Sequence, residues 1–341
     1  MVTALESVAR TAPQAAAQAD TLPELGGELS RQLHRLVPHD GHMLSGTDPV
    51  TGAGCFLTEH NGYGCDHYRR VKADGLLSRG PSGQVARRPL VAVLGAGVPA
   101  PPGSAPLLDL MAGEGWGGEM RLALVDRGVL WGTLTLLRER GRPAFTPADI
   151  QSAQRIVAPL ALSLRRYVTR ATPHPVRGTM PPGVLIVDEA DTITSVTPTG
   201  RDWLRVCFPN LALDNDDDLS ITLWNFASAA RRKNGAVLSR IPTSHGWVAL
   251  EAQHLAGTRR GEVAVTVQPA TAGQLLPAVT AWYGITPRER TVIDQVLEGR
   301  SGKQISRSLN LSPHTTNDHL KAIYRKIQVS GRSELTAALS R

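Results

Sequence analysis

Two helix-start signals near the carboxyl terminus constrain the fold more strongly than any other feature of this sequence. Residues 286–289 (TPRE) combine an N-cap threonine, a proline at the first helical position and a glutamate that completes a capping box. Ser312-Pro313 repeats the N-cap and proline device. Gly299 ends the first helix, and residues 303–309 suit a short second helix before a tight turn. Residues 284–341 are therefore predicted to form a small all-helical unit.

The helix that starts after Ser312 and runs to about residue 326 has two different faces. Apolar or small residues at helical spacing predict the inward stripe, namely Thr316, Leu320, Ile323 and Ile327. Polar and charged residues predict the outward face, namely His314, Asn317, Asp318, Lys321 and Arg325. A polar helix face is often simply solvated. A short helix, a tight turn and such a face together have the geometry that reads a DNA major groove.

The ordered pattern of these 58 residues closely resembles the LuxR-type (NarL/FixJ class) helix-turn-helix. The matching positions are TPRER at 286–290, Lys303, Ile305, Leu309, Ser312, His314-Thr315, His319-Leu320, Ile323, 325–327, Val329 and 332–335. The resemblance implies a four-helix DNA-binding domain in which the third helix enters the major groove. It also implies that the fourth helix, from about Arg332, helps to form a homodimer.

The same resemblance assigns roles to individual side chains. Asn317, Asp318 and Lys321 occupy positions that contact base edges, while Lys303, Thr315 and Arg325 are placed for phosphates. Ser312 and His314 complete the predicted DNA-binding set. These roles suit the chemistry, because lysine reads guanine acceptors, asparagine pairs with adenine, and hydroxyl or cationic groups meet the backbone.

Two residues depart from the family pattern. Thr316 stands where valine is usual, so its inward hydroxyl is expected to need a backbone acceptor. Asp318 places a negative charge in the groove, where it either accepts from cytosine N4 or weakens binding by repelling phosphates. The sequence leaves these two alternatives for Asp318 open.

Charge and cysteine usage bound the class of protein. The formal net charge is +7, and residues 285–341 hold ten Lys or Arg against five Asp or Glu, a local excess of +5. Concentration of basic charge in the helical tail favours a nucleic-acid partner. Three cysteines, the lack of a signal-peptide pattern and the lack of a long apolar run predict a cytoplasmic protein without a membrane partner.

The preceding residues predict an α+β fold: GAF-like and PAS-like sensory domains followed by the all-α four-helix helix-turn-helix domain. Residues 1–20 suit a flexible arm, and the block WGTLTLLRERGRPAFTPADIQSAQRIVAPLALSLRR resembles the end of a GAF domain, assigned to 21–170. A linker at 171–182 precedes a PAS-like domain at 183–268, and a second linker is predicted at 269–283. GAF domains bind small molecules or dimerise, so an effector is expected without its identity.

Local patterns predict individual elements within these domains. Helices are expected at 22–36 and 150–167, and a hairpin at 120–125 and 129–136. Residues 38–118 show a broken pattern, with a stretch after Gly95 that is rich in glycine and proline. Strands are expected at 183–188, 193–196, 246–255 and 262–267, with a short helix at 198–204.

Signals for other functions lack their necessary context. Residues 184–191 (VLIVDEAD) resemble a Walker-B string, but no phosphate-binding loop accompanies them. The Cys55, His60, Cys65 and His67 group, with His39 and His42 upstream, fits no closed zinc spacing. We therefore predict no enzyme activity, no cofactor and no metal.

The sequence as a whole predicts a dimeric, sequence-specific transcriptional regulator that binds double-stranded DNA. RNA polymerase is a further candidate partner. The alternative hypothesis is a ligand-binding or protein-interaction module whose helical tail docks on a partner protein. Salt dependence separates the two hypotheses, because phosphate contacts weaken steeply as ionic strength rises.

Overall fold

The computed structural model describes residues 19–63, 90–95, 104–170, 180–208, 235–243, 246–257 and 261–339, with isolated positions within 6–14 and 223–231. Most of the predicted arm at 1–20 and of the predicted linker at 171–182 lies outside the described residues. Among the residues that are described, no helix has both the length and the apolar character required to cross a bilayer.

The first sheet contains five antiparallel strands in the order β2-β1-β5-β4-β3. Their bounds are β1 Gly41–Thr47, β2 Gly54–His60, β3 Val91–Gly95, β4 Trp116–Asp126 and β5 Val129–Glu139. Arg127 and Gly128 have φ of 51° and 78°, as a two-residue turn with the twist of a hairpin requires. The predicted hairpin is thus confirmed, with longer strands.

Three helices cover this sheet. Leu22–His34 (α1) and Pro147–Val168 (α3) pack on one face, and Ala105–Gly113 (α2) packs on the other. Capping boxes at Thr21 and Thr146 start α1 and α3, so both sequence-predicted helices are confirmed. The first face buries leucines of α1 together with apolar residues of α3, including Leu29 and Leu160, both 0% exposed.

Residues 38–118, whose sequence pattern is broken, contain β1, β2, β3 and α2, while most of the stretch rich in glycine and proline after Gly95 lies outside the described residues. Both faces of this sheet are covered, so β1 is buried almost throughout and lacks the alternation that reveals a half-exposed strand. Its glycines also resemble helix and strand breakers. Gly46, however, is a packing residue, since a Cβ there would lie 2.1 Å from the ring of Phe56.

A second antiparallel sheet has the order β7-β6-β10-β9-β8. Its strands are β6 Gly183–Val187, β7 Ile193–Val196, β8 Val237–Thr243, β9 Gly246–His254 and β10 Val263–Pro269, and Pro198–Cys207 (α4) packs against it. The predicted strands and short helix are confirmed here. The sequence pattern gave no indication of β8, which pairs along β9.

Residues 269–283, predicted to be a linker, instead contain a buried helix, Ala272–Tyr283 (α5). A capping box between Thr271 and Gln274 starts this helix, and Pro277 inside it does not end it. Trp282 is 2% exposed and stacks on Trp247 of β9 with ring centroids 4.0 Å apart. The linker prediction failed because the apolar side of α5 is defined only by these tertiary partners.

Four further helices follow: Pro287–Leu297 (α6), Gly302–Ser308 (α7), Pro313–Ile327 (α8) and Arg332–Leu339 (α9). The all-helical unit predicted from the capping signals is confirmed. α9 packs against α5 and α6 and buries Leu335, Ala338 and Leu339.

The two sheet units and α5 meet at a buried ion pair. Asp48, between β1 and β2, accepts from Arg240 of β8 at 2.6 Å, and the two side chains are 0% and 3% exposed. Arg240 also donates through Nε to the Gln274 carbonyl of α5. Near the carboxyl end of α5, Arg165 of α3 donates to the Trp282 carbonyl at 3.0 Å. α5 therefore contacts both sheet units and precedes the four C-terminal helices directly.

Candidate nucleic-acid interface

Local capping and a left-handed turn residue set the geometry between α7 and α8. Ser301 and Gln304 form a capping box at the start of α7. Asn310 adopts φ 52°, and the Leu311 amide then donates to the Ser306 carbonyl at 2.9 Å, which closes the end of α7. Ser312 accepts from the Thr315 amide at 3.0 Å and starts α8. The predicted helix-turn-helix arrangement is thus present.

The two faces of α8 lie as the sequence predicts. Ile323 and Ile327 are 0% exposed and Thr316 is 2% exposed, while Leu320 and Tyr324 pack partly buried beside them. We call the outward residues the α8 ridge; all five are exposed, namely His314, Asn317, Asp318, Lys321 and Arg325. The ridge therefore faces solvent and is not covered by the sheet units of the described chain.

The remaining predicted DNA-binding residues surround the start of α8. Lys303 is exposed on α7, Ser312 is exposed, and Thr315 is partly buried. The hydroxyl oxygens of Ser312 and Thr315 lie 2.8 Å apart, so each already has a protein partner. Arg307 is exposed one turn after Lys303, and four-residue spacing on a helix was the signal that could have identified it.

Two polar side chains approach each other in the amino-terminal half of the ridge. His314 Nδ1 lies 2.9 Å from Asp318 Oδ2, with the side chains 87% and 55% exposed.

The partner of Thr316 differs from the expectation. Its hydroxyl lies 2.9 Å from the Ser306 hydroxyl of α7, and Ser306 also lies 2.9 Å from the Gly302 carbonyl. A side chain of the neighbouring helix therefore satisfies Thr316, where a backbone acceptor was predicted. The hydroxyl pair joins α7 to α8 inside the core.

A second polar contact fixes α8 against α6. Lys326 Nζ donates to both oxygens of Glu289, at 2.9 and 2.6 Å, and to the Gly284 carbonyl at 2.9 Å. Burial acts to raise the pKa of Glu289, but hydrogen bonds from Lys326 and from Thr286 hold that pKa below its ordinary value. The orientation of the ridge is thus set by a charged contact that the sequence analysis did not assign.

Two other sites considered from the sequence show structural roles or fall partly outside the described residues. The aspartates of the Walker-like string close a turn, since Asp191 pairs with Arg231 at 2.5 Å and the Asp188 carbonyl accepts from the same arginine. Cys65 and His67 lie outside the described residues, and within the described ones no three metal-ligating side chains cluster.

A cleft of about 270 Å³ lies at one end of the first sheet. Leu108, Met111 and Trp116 form its apolar wall. Arg140 lies at the cleft and is exposed, whereas Arg138 is engaged by the Pro38 carbonyl at 2.7 Å and by Asp149 at 3.2 Å. The cleft thus combines an apolar wall with two exposed arginines, Arg140 and Arg142, of which Arg142 lies 2.7 Å from Asp40.

Residues 284–339 match the family model described as "Bacterial regulatory proteins, luxR family". The HTH-type transcriptional regulator Mb0914c of Mycobacterium bovis is 38% identical over 60 residues, which are 18% of this chain and 7% of that protein. The monoamine regulon transcriptional regulator of Klebsiella aerogenes is 39% identical over 62 residues, 18% of this chain and 25% of that protein. The chain thus covers only a small part of each relative.

Similarity to solved structures is weak. SdiA of Escherichia coli aligns over 98% of this chain and 96% of its own with a TM-score of 0.37 and 14% identity. The LuxR-family factor CepR2 of Burkholderia cenocepacia aligns over 49% of this chain and 94% of its own, with a TM-score of 0.33 and 17% identity. Scores this low support no further argument about the sheet units.

Proposed function

Residues 284–339 are a LuxR-family helix-turn-helix domain, and we propose that the whole chain is a sequence-specific transcriptional regulator. The observation that carries the proposal is the exposed α8 ridge on a helix that follows a capped short helix and a tight turn. Amides and cations on such a helix suit base edges and phosphates.

The proposed roles divide the ridge into two groups. Asn317, Asp318 and Lys321 contact base edges in the major groove, and Arg325 contacts phosphate. Around the ridge, Lys303, Ser312, His314 and Thr315 complete the interface, and Arg307 adds one more cation on α7. Two observations support these roles. All of these side chains except the partly buried Thr315 are exposed, and residues 285–341 carry an excess of basic charge.

Binding as a homodimer on a two-fold site is part of the proposal. Leu335, Ala338 and Leu339 of α9 are already buried within the chain. A dimer through α9 would therefore use its exposed residues, which are Ser333, Glu334 and Ala337. Such a contact would be small and largely polar, so DNA would strengthen the dimer by holding two copies side by side.

The two sheet units are proposed to be GAF-like and PAS-like sensory domains that act in the cytoplasm. The cleft bounded by Leu108, Met111, Trp116 and Arg140 suits a small effector with an apolar body and an anionic group. A shift in either sheet unit would reach the helix-turn-helix through α5, which contacts both. Contact with RNA polymerase would then complete transcriptional control.

Gel-shift titrations with the full chain test DNA binding. Lys321→Ala removes a base contact, so the affinity ratio between specific and random duplex should fall about five-fold or more. Lys303→Ala removes a phosphate contact, so affinity should fall for all sequences and the salt slope should decrease by about one. Arg155→Ala, an exposed charge on α3, is the matched control and should change neither quantity.

The competing function is docking of the helical tail on a partner protein. It predicts no steep dependence of duplex affinity on salt. Equal effects of Lys321→Ala and Lys303→Ala on specific and random DNA would contradict the assignment of the ridge.

A further inference from the structure

We propose that Arg165 links the β4–β5 turn to the helix-turn-helix, so that duplex binding at the α8 ridge and opening of this turn are energetically coupled. This inference rests on the proposed DNA-binding function and adds to it the contact through which the first sheet controls the ridge. Arg165 is a positioning residue in this scheme, because its side chain is 12% exposed and lies on α3, outside the ridge.

The carboxyl end of α5 receives one of its hydrogen bonds from the first sheet unit. The last carbonyls of a helix have no partner within the helix. The Thr280 carbonyl accepts from the Gly284 and Ile285 amides, whereas the Trp282 carbonyl accepts from Arg165 Nε at 3.0 Å. A guanidinium at this end also interacts favourably with the helix dipole. Arg165 therefore completes the end of α5 from outside the C-terminal helices.

Both strands of the β4–β5 hairpin hold the guanidinium of Arg165. Asp126 at the end of β4 lies 2.7 Å from Nη1. The pairing of β4 with β5 shifts between Leu124 and Val125, so Trp131 is the extra residue of a β-bulge. Trp131 is 3% exposed, and Arg165 Cζ lies 5.8 Å from its ring centroid. The position of the guanidinium is therefore set by the two strands that the turn joins.

Gly284 is the point at which this contact meets the helix-turn-helix. It ends α5 with φ 63°, and its carbonyl accepts from Lys326 Nζ of α8 at 2.9 Å. A Cβ at this position would lie 3.0 Å from Arg127 Nη1 and 3.0 Å from Arg165 Nη2. A glycine therefore lets two guanidiniums of the first sheet unit approach the main chain here.

A short series of contacts thus joins the turn to the ridge. Asp126 contacts Arg165, which contacts the end of α5. Gly284 at that end contacts Lys326, which is adjacent to Arg325 of the ridge. Restraint of α8 by DNA should therefore reduce opening of the turn. Because coupling between two sites is reciprocal, loss of the Arg165 contact should weaken duplex binding by the same factor.

Hydrogen exchange of the full chain, followed by mass spectrometry with and without random-sequence duplex at low ionic strength, tests the coupling. In the unchanged protein, saturating duplex should slow exchange in residues 126–131 by about five-fold, the lower end for coupling between distinct sites. Arg165→Gln removes the charge opposite Asp126 and should abolish this slowing. Arg170→Gln is the matched control, since Arg170 follows α3 and donates to the Ala19 and Asp20 carbonyls before α1, at 2.7 and 3.0 Å.

Gly284→Ala tests the same contact without changing Arg165. The added methyl would crowd both guanidiniums, so it should reduce the slowing in residues 126–131. Gly299→Ala is its matched control, because Gly299 also follows a helix with a positive φ, 83°, but a Cβ there has nothing within 4 Å. Both variants carry the strain of a left-handed alanine, and only Gly284→Ala should weaken the response to duplex.

Gel-shift titrations separate positioning from a direct phosphate contact. Arg165→Gln should weaken duplex binding by about five-fold, the same factor as the change in exchange. Its salt slope should equal that of the unchanged protein, because Arg165 contacts no phosphate in this scheme. Arg170→Gln should change neither the affinity nor the slope.

Slowing of exchange that survives in Arg165→Gln would overturn the inference, because the duplex would then act on the turn directly. A smaller salt slope in Arg165→Gln would overturn it likewise, since it would reveal a phosphate contact. Duplex binding by the unchanged protein with no response in residues 126–131 would overturn the inference and leave the regulator proposal standing. Lack of duplex binding by the unchanged protein would contradict the proposed function itself and the inference with it.

Discussion

The buried pair of Asp48 and Arg240 provides the sharpest test of how the three parts of this chain are joined. The perturbation is Arg240→Met, which keeps most of the side-chain volume and removes the charge. It would eliminate the 2.6 Å contact with Asp48 and the hydrogen bond to the Gln274 carbonyl. Asp48 would retain only the Val50 and Thr51 amides, at 2.9 and 3.0 Å.

The magnitude follows from burial. Asp48 is 0% exposed, so water cannot replace the lost guanidinium. Breaking a buried pair by removing one partner costs about 3–5 kcal/mol. The two remaining amide donors moderate the cost, so we expect a loss of about 3 kcal/mol in the free energy of unfolding. The double variant Asp48→Asn/Arg240→Met leaves no buried charge and should recover at least about 1 kcal/mol.

Urea unfolding followed by tryptophan fluorescence is a suitable assay, because Trp282 stacks on Trp247 close to this pair. Arg205→Met is the matched control: Arg205 and Asp202 form a pair at 2.8 Å with side chains 57% and 53% exposed. Its loss should cost no more than about 0.5 kcal/mol. A similarly small cost for Arg240→Met, or a double variant no more stable than the single one, would refute this account of the contact.

Two further predictions concern pH and the turn before α8. Burial lowers the pKa of His39 and of His42 from 6.5 to about 4, so the folded state stays neutral where the unfolded state binds protons. The contribution of these histidines to the free energy of unfolding should therefore be fully present above pH 6.5 and should decrease as pH drops toward 4, by about 2 kcal/mol per histidine at pH 5. Chemical unfolding at pH 7 and pH 5 measures this decrease. A His39→Gln/His42→Gln variant with the same pH dependence as the unchanged protein would contradict the prediction. Asn310 has φ 52°, so Asn310→Gly should leave the melting temperature of the C-terminal helices nearly unchanged, whereas Asn310→Val should destabilise them by about 1–2 kcal/mol. Equal stability of the two Asn310 variants in thermal melts would show that the left-handed turn is not required.

Much of the candidate interface could be predicted from the sequence because its determinants are local. Thr286-Pro287 and Ser312-Pro313 start α6 and α8 within one residue of the predicted positions, since capping depends on neighbouring residues. Helical spacing alone also separated the buried side of α8 from the ridge. The base and phosphate contacts themselves remain predictions.

The tertiary structure decided the features whose partners are distant in sequence. In the sequence, the glycines of β1 resemble residues that interrupt a strand. The structure shows that Gly46 is required because the ring of Phe56 packs against it. α5 resembled a linker because its apolar residues find their partners in elements distant in sequence, including β9 and α9.

The same reason explains why Lys326 and Thr316 received no correct partner from the sequence: Glu289 and Ser306 lie on other helices. Capping and periodicity are properties of a few consecutive residues, so the chain specifies by itself where its helices begin and which side of α8 is polar. Burial and long-range ion pairing exist only after the elements pack, so the fold alone determines how that polar side is oriented and held.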